Sequence, residues 1–423
     1  MKNIINILSI ILLLLAAATA QGQIIEGNVY GGGNAGNVSG NATVTVTAGD
    51  IHSLFGGARQ ANVGGRTFVN IDGANATSYI LIDYVFGGND IGGTIGQSAT
   101  ALPAALEQTA ENNINDTWNA LLKISTKLAA SDIYFTSEEI AAANPGDPAY
   151  GKTISDIKTP AGSEAADAKK IYIGQLFGGG NGDYEYTPAG GGKFDVTVDG
   201  SPTQVDSKPE LARTYLEVTG GSIVYAYGGG NKVTVTDKTV ICVDNPSKVV
   251  NSITDADNPH KGEGNELLTT ERFQKMRINT GFSHPSSDAF QIGRFFGGNN
   301  KAEMAIAPTW NLKSGLIRNL YSGGNSGDMT YHNGLLLEIP ETSTIKVDYL
   351  YGGCRMADVK PLNNSREIVN TTNIDGYRFP NTLSARVLVK GGDINNIFGG
   401  NDVTGKVYGG SAIGIYTSIR GNV

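Results

Sequence analysis

Leu176-Phe177-Gly178-Gly179-Gly180-Asn181 is the stretch of this sequence that decides its fold. An aliphatic residue, an aromatic residue and two glycines recur in this order along the chain, beginning with Val29-Tyr30-Gly31-Gly32. The other copies carry their aromatic residue at Phe55, Phe86, Tyr227, Phe296, Tyr351, Phe398 and Tyr408, and Tyr321 begins a variant with Ser322 before its glycines. The chain is therefore a repeat protein, and the repeat has to be interpreted before any other feature.

The spacing of the copies predicts short stacked strands. Tyr30 and Phe55 are 25 residues apart, and so are Phe296 and Tyr321. Apolar and polar residues alternate between the copies, as in Val44-Thr45-Val46, which is typical of a strand with one buried face. A unit of this length cannot bury its apolar face alone, but a stack of units can. The pattern predicts an all-β fold, a right-handed parallel β-helix or β-solenoid.

Two other β folds also repeat short strands joined by glycine turns, the up-and-down barrel and the propeller. A propeller blade takes roughly 40 residues and four strands, more than the closest copies allow. The strands of an outer-membrane barrel have about ten residues, which is longer than the alternating segments here. The solenoid is therefore the favoured architecture.

The residues after the aromatic position are interpreted as corners of the solenoid. The glycine pairs are expected to supply positive φ, and asparagine is the next most tolerant residue there. Asparagines follow the pairs at Asn34, Asn89, Asn181, Asn231, Asn299, Asn325 and Asn401. Stacking is predicted to align these amides in a ladder and the aromatic rings in a column, both with a structural role rather than as ligand sites.

The repeated motif, together with Gly220-Gly221-Ser222-Ile223 and Gly391-Gly392-Asp393-Ile394, resembles adhesin-like surface repeat proteins of Bacteroidales bacteria. More loosely, it is similar to the pectin-lyase-like superfamily of right-handed parallel β-helices. The resemblance covers most of residues 25–415 outside two insertions. It implies export and attachment or binding at a cell surface, and it supplies no catalytic residues.

The start of the chain predicts export. Residues 1–20 combine Lys2, an apolar run and the cleavage signal Ala18-Thr19-Ala20, which is typical of a signal peptide. The apolar run is shorter than the roughly 20 residues that a membrane-spanning helix needs, and no later segment could span a bilayer. We therefore expect an extracytoplasmic protein, secreted or held at the cell surface.

Two segments interrupt the repeat. Rungs of the β-helix are predicted over residues 21–96, 171–245 and 291–423. Residues 97–170 are predicted to form a mainly helical insertion, because apolar residues such as Trp118, Leu121 and Leu122 occur at helical spacing. This insertion is expected either to bind a partner or only to pack on the rungs. Residues 246–290 are predicted to form a polar loop with a short helix.

The net charge limits the classes of partner that can be expected, and the cysteine content limits the possible disulfides to one. The net charge is −8 and basic residues are not clustered, so nucleic acid is excluded as an expected partner. The two cysteines, Cys242 and Cys354, could form a disulfide in an exported protein. The favoured interpretation is that they are two small buried residues.

No catalytic, cofactor-binding or metal-binding residue is predicted. The sequence has no G-x-S-x-G or H-E-x-x-H motif, and His284 has no partner at metal-binding spacing. Acidic residues recur near the corners at Asp50, Asp90, Asp183, Asp328, Asp393 and Asp402. They are interpreted as turn-capping residues, with calcium binding as the alternative.

The sequence therefore favours a non-catalytic function in adhesion or surface binding. The expected partner is a host or microbial surface glycan or protein. The alternative is a carbohydrate-active β-helix enzyme, a polysaccharide lyase or hydrolase, which would need paired carboxylates or a carboxylate-held calcium.

Overall fold

The computed structural model describes residues 24–73, 80–96, 118–125, 171–244, 292–331, 334–360, 371–374, 377–380 and 384–416. This part of the chain is almost entirely β and contains no α-helix, and most of its strands pair in parallel. Nowhere in these ranges is there a helix that could span a bilayer. The predicted signal peptide, residues 1–20, and the predicted polar insertion, residues 246–290, lie outside the described residues.

The described residues contain 23 strands. The first twelve are β1 (Ile24–Tyr30), β2 (Ala42–Val46), β3 (Gly49–Phe55), β4 (Thr67–Asp72), β5 (Ile80–Phe86), β6 (Ala120–Ser125), β7 (Ile171–Phe177), β8 (Tyr186–Pro188), β9 (Phe194–Val198), β10 (Ser201–Val205), β11 (Leu211–Thr219) and β12 (Ser222–Tyr227). The others are β13 (Val235–Asp244), β14 (Ile292–Phe296), β15 (Thr309–Ser314), β16 (Leu316–Tyr321), β17 (Leu335–Ile339), β18 (Lys346–Tyr351), β19 (Thr371–Ile374), β20 (Tyr377–Pro380), β21 (Ala385–Val389), β22 (Asp393–Phe398) and β23 (Ser411–Ile415). A 3₁₀ turn, Gly190–Gly192, lies between β8 and β9.

Three parallel sheets contain most of the strands. The nine-stranded sheet has the order β1-β3-β5-β7-β12-β14-β16-β18-β22, and the six-stranded sheet the order β15-β13-β11-β6-β4-β2. The third sheet, β17-β21-β23, begins next to β15. Apart from two antiparallel insertions, strands of the nine-stranded sheet alternate along the chain with strands of the other two. The chain therefore returns to the nine-stranded sheet once per repeat.

The core lies between the nine-stranded sheet and the other two parallel sheets. Aliphatic residues one and four positions before the repeated aromatic residue point into it, as Leu176 and Ile173 do. They meet Leu122 and Ile124 from β6, and all four side chains are at most 1% exposed. Burying each such side chain stabilises the fold by about 1.5–3 kcal/mol. The repeat pattern of the sequence is thus the pattern of core residues.

The repeated aromatic residues stack in one column, as predicted. The stack contains Tyr30, Phe55, Phe86, Phe177, Tyr227, Phe296, Tyr321, Tyr351 and Phe398. Neighbouring ring centroids are 4.5–5.0 Å apart, and the rings are within 12° of parallel. This distance is the spacing of about 4.8 Å between paired strands, so the stack follows from in-register pairing. The tenth copy is different, because Val407 forms a bridge with Val359 and Tyr408 lies outside the stack.

Asparagines occupy two different positions after the glycines, so the single predicted ladder is only partly confirmed. Four residues past the aromatic position, amide side chains do form a ladder. Asn231 Nδ2 donates to Asn181 Oδ1 at 2.9 Å. Asn300 Nδ2 donates to Asn231 Oδ1, and Asn325 Nδ2 to Asn300 Oδ1, both at 2.8 Å. Asn34 occupies the same position and accepts from Arg59 Nη1 at 3.5 Å.

Asn89, Asn299 and Asn401 lie one residue earlier and do not join the ladder. Each accepts a backbone N–H of the preceding repeat with its Oδ1, at 2.7 Å for Asn89 and 2.8 Å for the other two. The two kinds of asparagine look alike in sequence because the number of residues between the glycines and the asparagine varies by one. Both are structural in the described residues.

The glycine pairs have a different role from the predicted one. Of the repeated pairs, only Gly409 and Gly410 have positive φ, 84° and 96°. Elsewhere the pair continues the backbone ladder, and Gly228 N–H donates to the carbonyl of Phe296 at 2.9 Å. A Cβ on Gly228 would lie 2.5 Å from the carbonyl oxygen of Gly297. Close approach between neighbouring repeats, rather than positive φ, therefore selects glycine here.

Gly228→Ala is expected to destabilise the protein by about 1–3 kcal/mol, because the added methyl group overlaps backbone that cannot move independently of its own strand. Gly36→Ala is the matched control, since a Cβ there has no atom within 4 Å. Urea denaturation followed by circular dichroism measures both variants. Equal midpoints for the two would contradict the close-approach explanation.

The helix predicted through Trp118, Leu121 and Leu122 is wrong. Leu121 and Leu122 belong to β6, and Trp118 lies two residues before its start. Strand β6 pairs in parallel with β4 and β11. Leu122 points into the core, while Trp118 and Leu121 are buried on the other face of the six-stranded sheet. A strand buried on both faces has a continuous apolar run, which can also match helical spacing. The rest of residues 97–170 lies outside the described residues.

Two antiparallel elements interrupt the repeats where none was predicted. Strands β8, β9 and β10 form a small antiparallel sheet between β7 and β11, within residues 171–245. Val196 and Val198 of β9 pack with Ile91 near the glycine corner. Strands β19 and β20 form an antiparallel pair before β21. The alternating sequence Val196-Thr197-Val198 is therefore a strand, but it does not belong to the parallel sheets.

Cys242 and Cys354 are free and buried, so the favoured interpretation is confirmed and the disulfide is wrong. Cys242 packs with Tyr215 on the six-stranded sheet, and Cys354 packs with Met329 below the glycine corner. Burial raises the pKa of the Cys354 thiol to about 12. At neutral pH this residue is therefore a small apolar side chain rather than a nucleophile.

Candidate functional site

A single column of mostly polar side chains runs across the outer face of the nine-stranded sheet. Its members lie two residues before each stacked aromatic residue and are in register from strand to strand. We call it the polar column. It contains Asn28, Ser53, Tyr84, Gln175, Tyr225, Arg294, Asn319, Tyr349 and Asn396.

Three tyrosines give the column flat apolar surface. Tyr84, Tyr225 and Tyr349 are partly exposed and pack against the stacked aromatic residues beneath them. Tyr84 and Tyr225 are two strands apart, which is about 10 Å, and Tyr225 and Tyr349 are three strands apart, which is about 14 Å. Tyrosine combines a ring that can stack on a ligand with a hydroxyl that can form a hydrogen bond.

Arg294 is the cation of the polar column. Its Nη1 donates to the hydroxyl of Tyr225 at 2.7 Å, and its guanidinium lies 5.4 Å from the centre of that ring. These two contacts hold the side chain along the sheet. Asn319 and Tyr349 continue the column on the next two strands. The centre of the column thus offers a positive charge between two rings, with an amide beside it.

A histidine and an aspartate lie beside the first tyrosine. His52 Nδ1 and Asp83 Oδ2 are 2.8 Å apart, and the His52 ring meets Tyr84 edge-on at 5.7 Å. A histidine held by a carboxylate can act as a general base, provided that the other reacting groups converge on the same bond. Arg294 lies four strands from His52, about 19 Å away, so these two groups cannot act on one bond.

The acidic residues singled out in the sequence do not form one site. Asp50 and Asp393 lie in strands β3 and β22 rather than in turns. Asp183 forms an ion pair with Lys301 at 2.5 Å. The predicted turn-capping role is confirmed for Asp328, because its Oδ1 accepts the backbone N–H of Asp358 at 2.9 Å. In the described residues, no group of three or more His, Cys, Asp or Glu side chains is placed to hold a metal ion.

Asp90 is a buried acid rather than a simple turn cap. Its Oδ1 accepts from Asn181 Nδ2 at 2.8 Å and from the Tyr184 hydroxyl at 3.0 Å. Its Oδ2 accepts from the Tyr30 hydroxyl at 2.8 Å. Burial raises the pKa of the Asp90 carboxyl, and these hydrogen bonds oppose the shift. The three donors join the aromatic stack to the segment that leads into β8, so Asp90 has a structural role.

The polar column and the His52–Asp83 pair were not predicted from the sequence. The available signal was the position two residues before the repeated aromatic residue, which changes between tyrosine, arginine, amide and serine while the residue that follows it stays apolar. A variable polar position inside a regular apolar repeat marks the outer face of the stack. His52 lies one position earlier on the same face.

Similarity to known proteins assigns neither a family nor a function to this chain. No protein family, curated protein or solved structure matches this chain.

Proposed function

We propose that the three parallel sheets are faces of one right-handed parallel β-helix, a β-solenoid. The chain alternates between the nine-stranded sheet and the other two, and Val38, Val63 and Ile95 pair in parallel in the loops between them. Crossovers between parallel strands are almost always right-handed. An experimental structure in which successive repeats do not wind around one axis would contradict this proposal.

We propose that the protein acts outside the cytoplasm as a surface-binding protein for an extended glycan. The polar column carries this proposal, because its rings, amides and guanidinium form one in-register column across nine strands. Tyrosines about 10 and 14 Å apart along the column suit a chain of sugar rings, which stack on aromatic faces and form hydrogen bonds with amides. Export is supported by the signal-peptide pattern of residues 1–20. Many weak contacts along one line also suit multivalent adhesion.

Arg294 favours an acidic glycan. The nine residues of the column include no carboxylate, and of the carboxylates beside it Asp83 is held by His52 while Asp348 is buried. A uronate or sulfate group placed over Arg294 would meet a positive charge already oriented by Tyr225. The overall charge of −8 opposes binding of a polyanion at long range, so the affinity should depend on these local contacts.

The decisive experiment measures binding of acidic and neutral polysaccharides to the purified protein by isothermal titration calorimetry. Tyr225→Ala and Arg294→Gln are each expected to raise the Kd for an acidic polysaccharide about tenfold, a loss of about 1.4 kcal/mol. Tyr408→Ala and Arg213→Gln are the matched controls, because both residues lie outside the polar column. Unchanged affinity in the column variants, or an equal loss in the controls, would exclude the column as the binding site.

A carbohydrate-active enzyme is the second candidate, and the His52–Asp83 pair beside Tyr84 is the observation in its favour. The same polysaccharides are incubated with the protein, with and without calcium, and their chain length is measured. Binding without shortening supports the proposed function. Shortening that disappears in His52→Ala would replace binding with catalysis as the function of this face.

A further inference from the structure

The two ends of the parallel sheets in the described residues expose large apolar side chains. Phe398, the last ring of the aromatic stack, is 45% exposed, whereas its neighbour Tyr351 is 8% exposed. Ile413 of β23 is 41% exposed, whereas Val387, its partner on β21, is fully buried. At the other end Ile24 is 48% exposed. Within the described residues, β1 and β22 are the outermost strands of their sheet, and open strand edges pair readily with further strands.

We propose that these two ends bind each other in different copies, so that the chain assembles head to tail. Strand β22 of one copy would pair in parallel with β1 of the next, in the register that β18 has with β22. The partner is a second copy of this chain, because the two ends carry matching positions of the same repeat.

The pairing registers define which residues would meet. Tyr351 pairs with Phe398 at one end, and Tyr30 with Phe55 at the other, so continuing the register places Tyr30 of the next copy on Phe398. By the same register Ile397 meets Val29. Strand β1 has one extra residue between Ile25 and Asn28, so Ile394 meets Ile25 across the same irregularity that pairs Ile25 with Ile51. Each contact places an apolar side chain on an apolar side chain, as in the inner repeats. The aromatic stack would continue across the junction without interruption.

The end strands on the other side of the core, β23 and β2, also match each other. Val44 and Ile413 occupy equivalent positions, because a Cβ on the first glycine of the same repeat, Gly31 or Gly399, would meet Val44 or Ile413 respectively. Strand β23 would therefore pair with β2 of the next copy and cover Ile413 with Val44. The junction is thus built on both sides of the core rather than on one edge strand.

Asp402 and Asn34 provide a specific test of the register. Asp90 accepts from a tyrosine hydroxyl two strands away, Tyr30, and from the ladder asparagine of the next strand, Asn181. Asp402 occupies the same position in the last repeat and accepts from Tyr321, again two strands away, at 2.8 Å. The residue that corresponds to Asn181 at the junction is Asn34 of the next copy. Both Asp402 and Asn34 are exposed in the single chain.

The proposed contact joins two different surfaces and does not close on itself. Such heterologous contacts produce open filaments when no rotation closes a ring. A filament would align the polar columns of successive copies. The inference rests on the stacked strands of the described residues and does not depend on the proposed glycan binding.

The test measures the mass distribution of the untagged chain from residue 21 onward by analytical ultracentrifugation over a hundredfold range of concentration, with negative-stain electron microscopy of the same samples. The native chain is expected to form rods whose length increases with concentration. Ile413→Lys is expected to give only monomers, because it places a charge at the apolar junction. Met356→Lys is the matched control, since Met356 is similarly exposed, 37%, but lies on the side of the stack. This control should assemble like the native chain.

A charge exchange then tests the register itself. Asn34→Asp is expected to weaken assembly at least tenfold, because two carboxylates would face each other across the junction. Adding Asp402→Asn in the same chain is expected to restore assembly, because one amide again faces one carboxylate. Circular dichroism confirms that each variant is folded. A native chain that stays monomeric at every concentration overturns the proposal, and assembly that is unaffected by Ile413→Lys or not restored by the second exchange overturns the proposed junction.

Discussion

Replacing Leu122 by aspartate is expected to abolish the cooperative unfolding transition of the protein or to lower its stability by about 4–5 kcal/mol. Leu122 is 1% exposed and pairs with Val69 on one side and Leu216 on the other. A carboxylate there has no hydrogen-bond donor within the aliphatic core and loses its hydration. Equilibrium urea denaturation, followed by far-ultraviolet circular dichroism, measures the loss.

Thr45→Asp is the control for this substitution. It introduces the same charge into the same six-stranded sheet, on β2, but at an exposed position. Its effect should stay within about 0.5 kcal/mol, as is usual for surface substitutions. A small loss of stability in Leu122→Asp would mean that β6 belongs to an insertion outside the core, as predicted from the sequence for residues 97–170.

Replacing Phe177 by alanine is expected to cost about 3–5 kcal/mol. Its ring lies between Phe86 and Tyr227, with centroid distances of 4.7 Å on both sides, and is 1% exposed. Its removal leaves a cavity that rings anchored on neighbouring strands cannot fill, because the paired backbones keep the strand spacing fixed. Thermal and urea denaturation both report the loss.

Phe398→Ala removes the same side chain from the end of the same stack. Because Phe398 has one ring neighbour, at 5.0 Å, and is 45% exposed, the expected loss is less than about 1.5 kcal/mol. The comparison is made in dilute solution, where end-to-end contacts do not contribute. Equal losses at the two positions would show that stability does not depend on the stack.

The regular parts of the fold could be predicted because each repeat has aliphatic and aromatic residues at the same positions. The aliphatic and aromatic positions around Phe177 predict both the core and the stacked rings, and the structure places them so. Because the strands pair in parallel and in register, equivalent residues of successive repeats lie in one column. No knowledge of distant contacts is needed for that step.

The other features depend on contacts between distant parts of the chain. Gly228 is a glycine because of the Gly297 carbonyl, and spacing along the chain cannot distinguish this reason from positive φ. The strand at Leu122 is buried on both faces, which removes the alternation that identifies strands. His52 and Asp83 are 31 residues apart and meet only because their strands are neighbours.

The position two residues before the stacked ring has a further consequence for how such a chain can change over generations. Its side chain lies on the outer face of the nine-stranded sheet, whereas the aliphatic core residues and the stacked rings occupy other positions of the repeat. Duplication or loss of one whole repeat would insert or remove a single side chain in the line without altering the others, because each repeat contacts mainly its nearest neighbours. Recombination can therefore change the polar column one residue at a time, while the paired strands beneath it stay the same. The affected order at its centre is Tyr225, Arg294, Asn319, Tyr349.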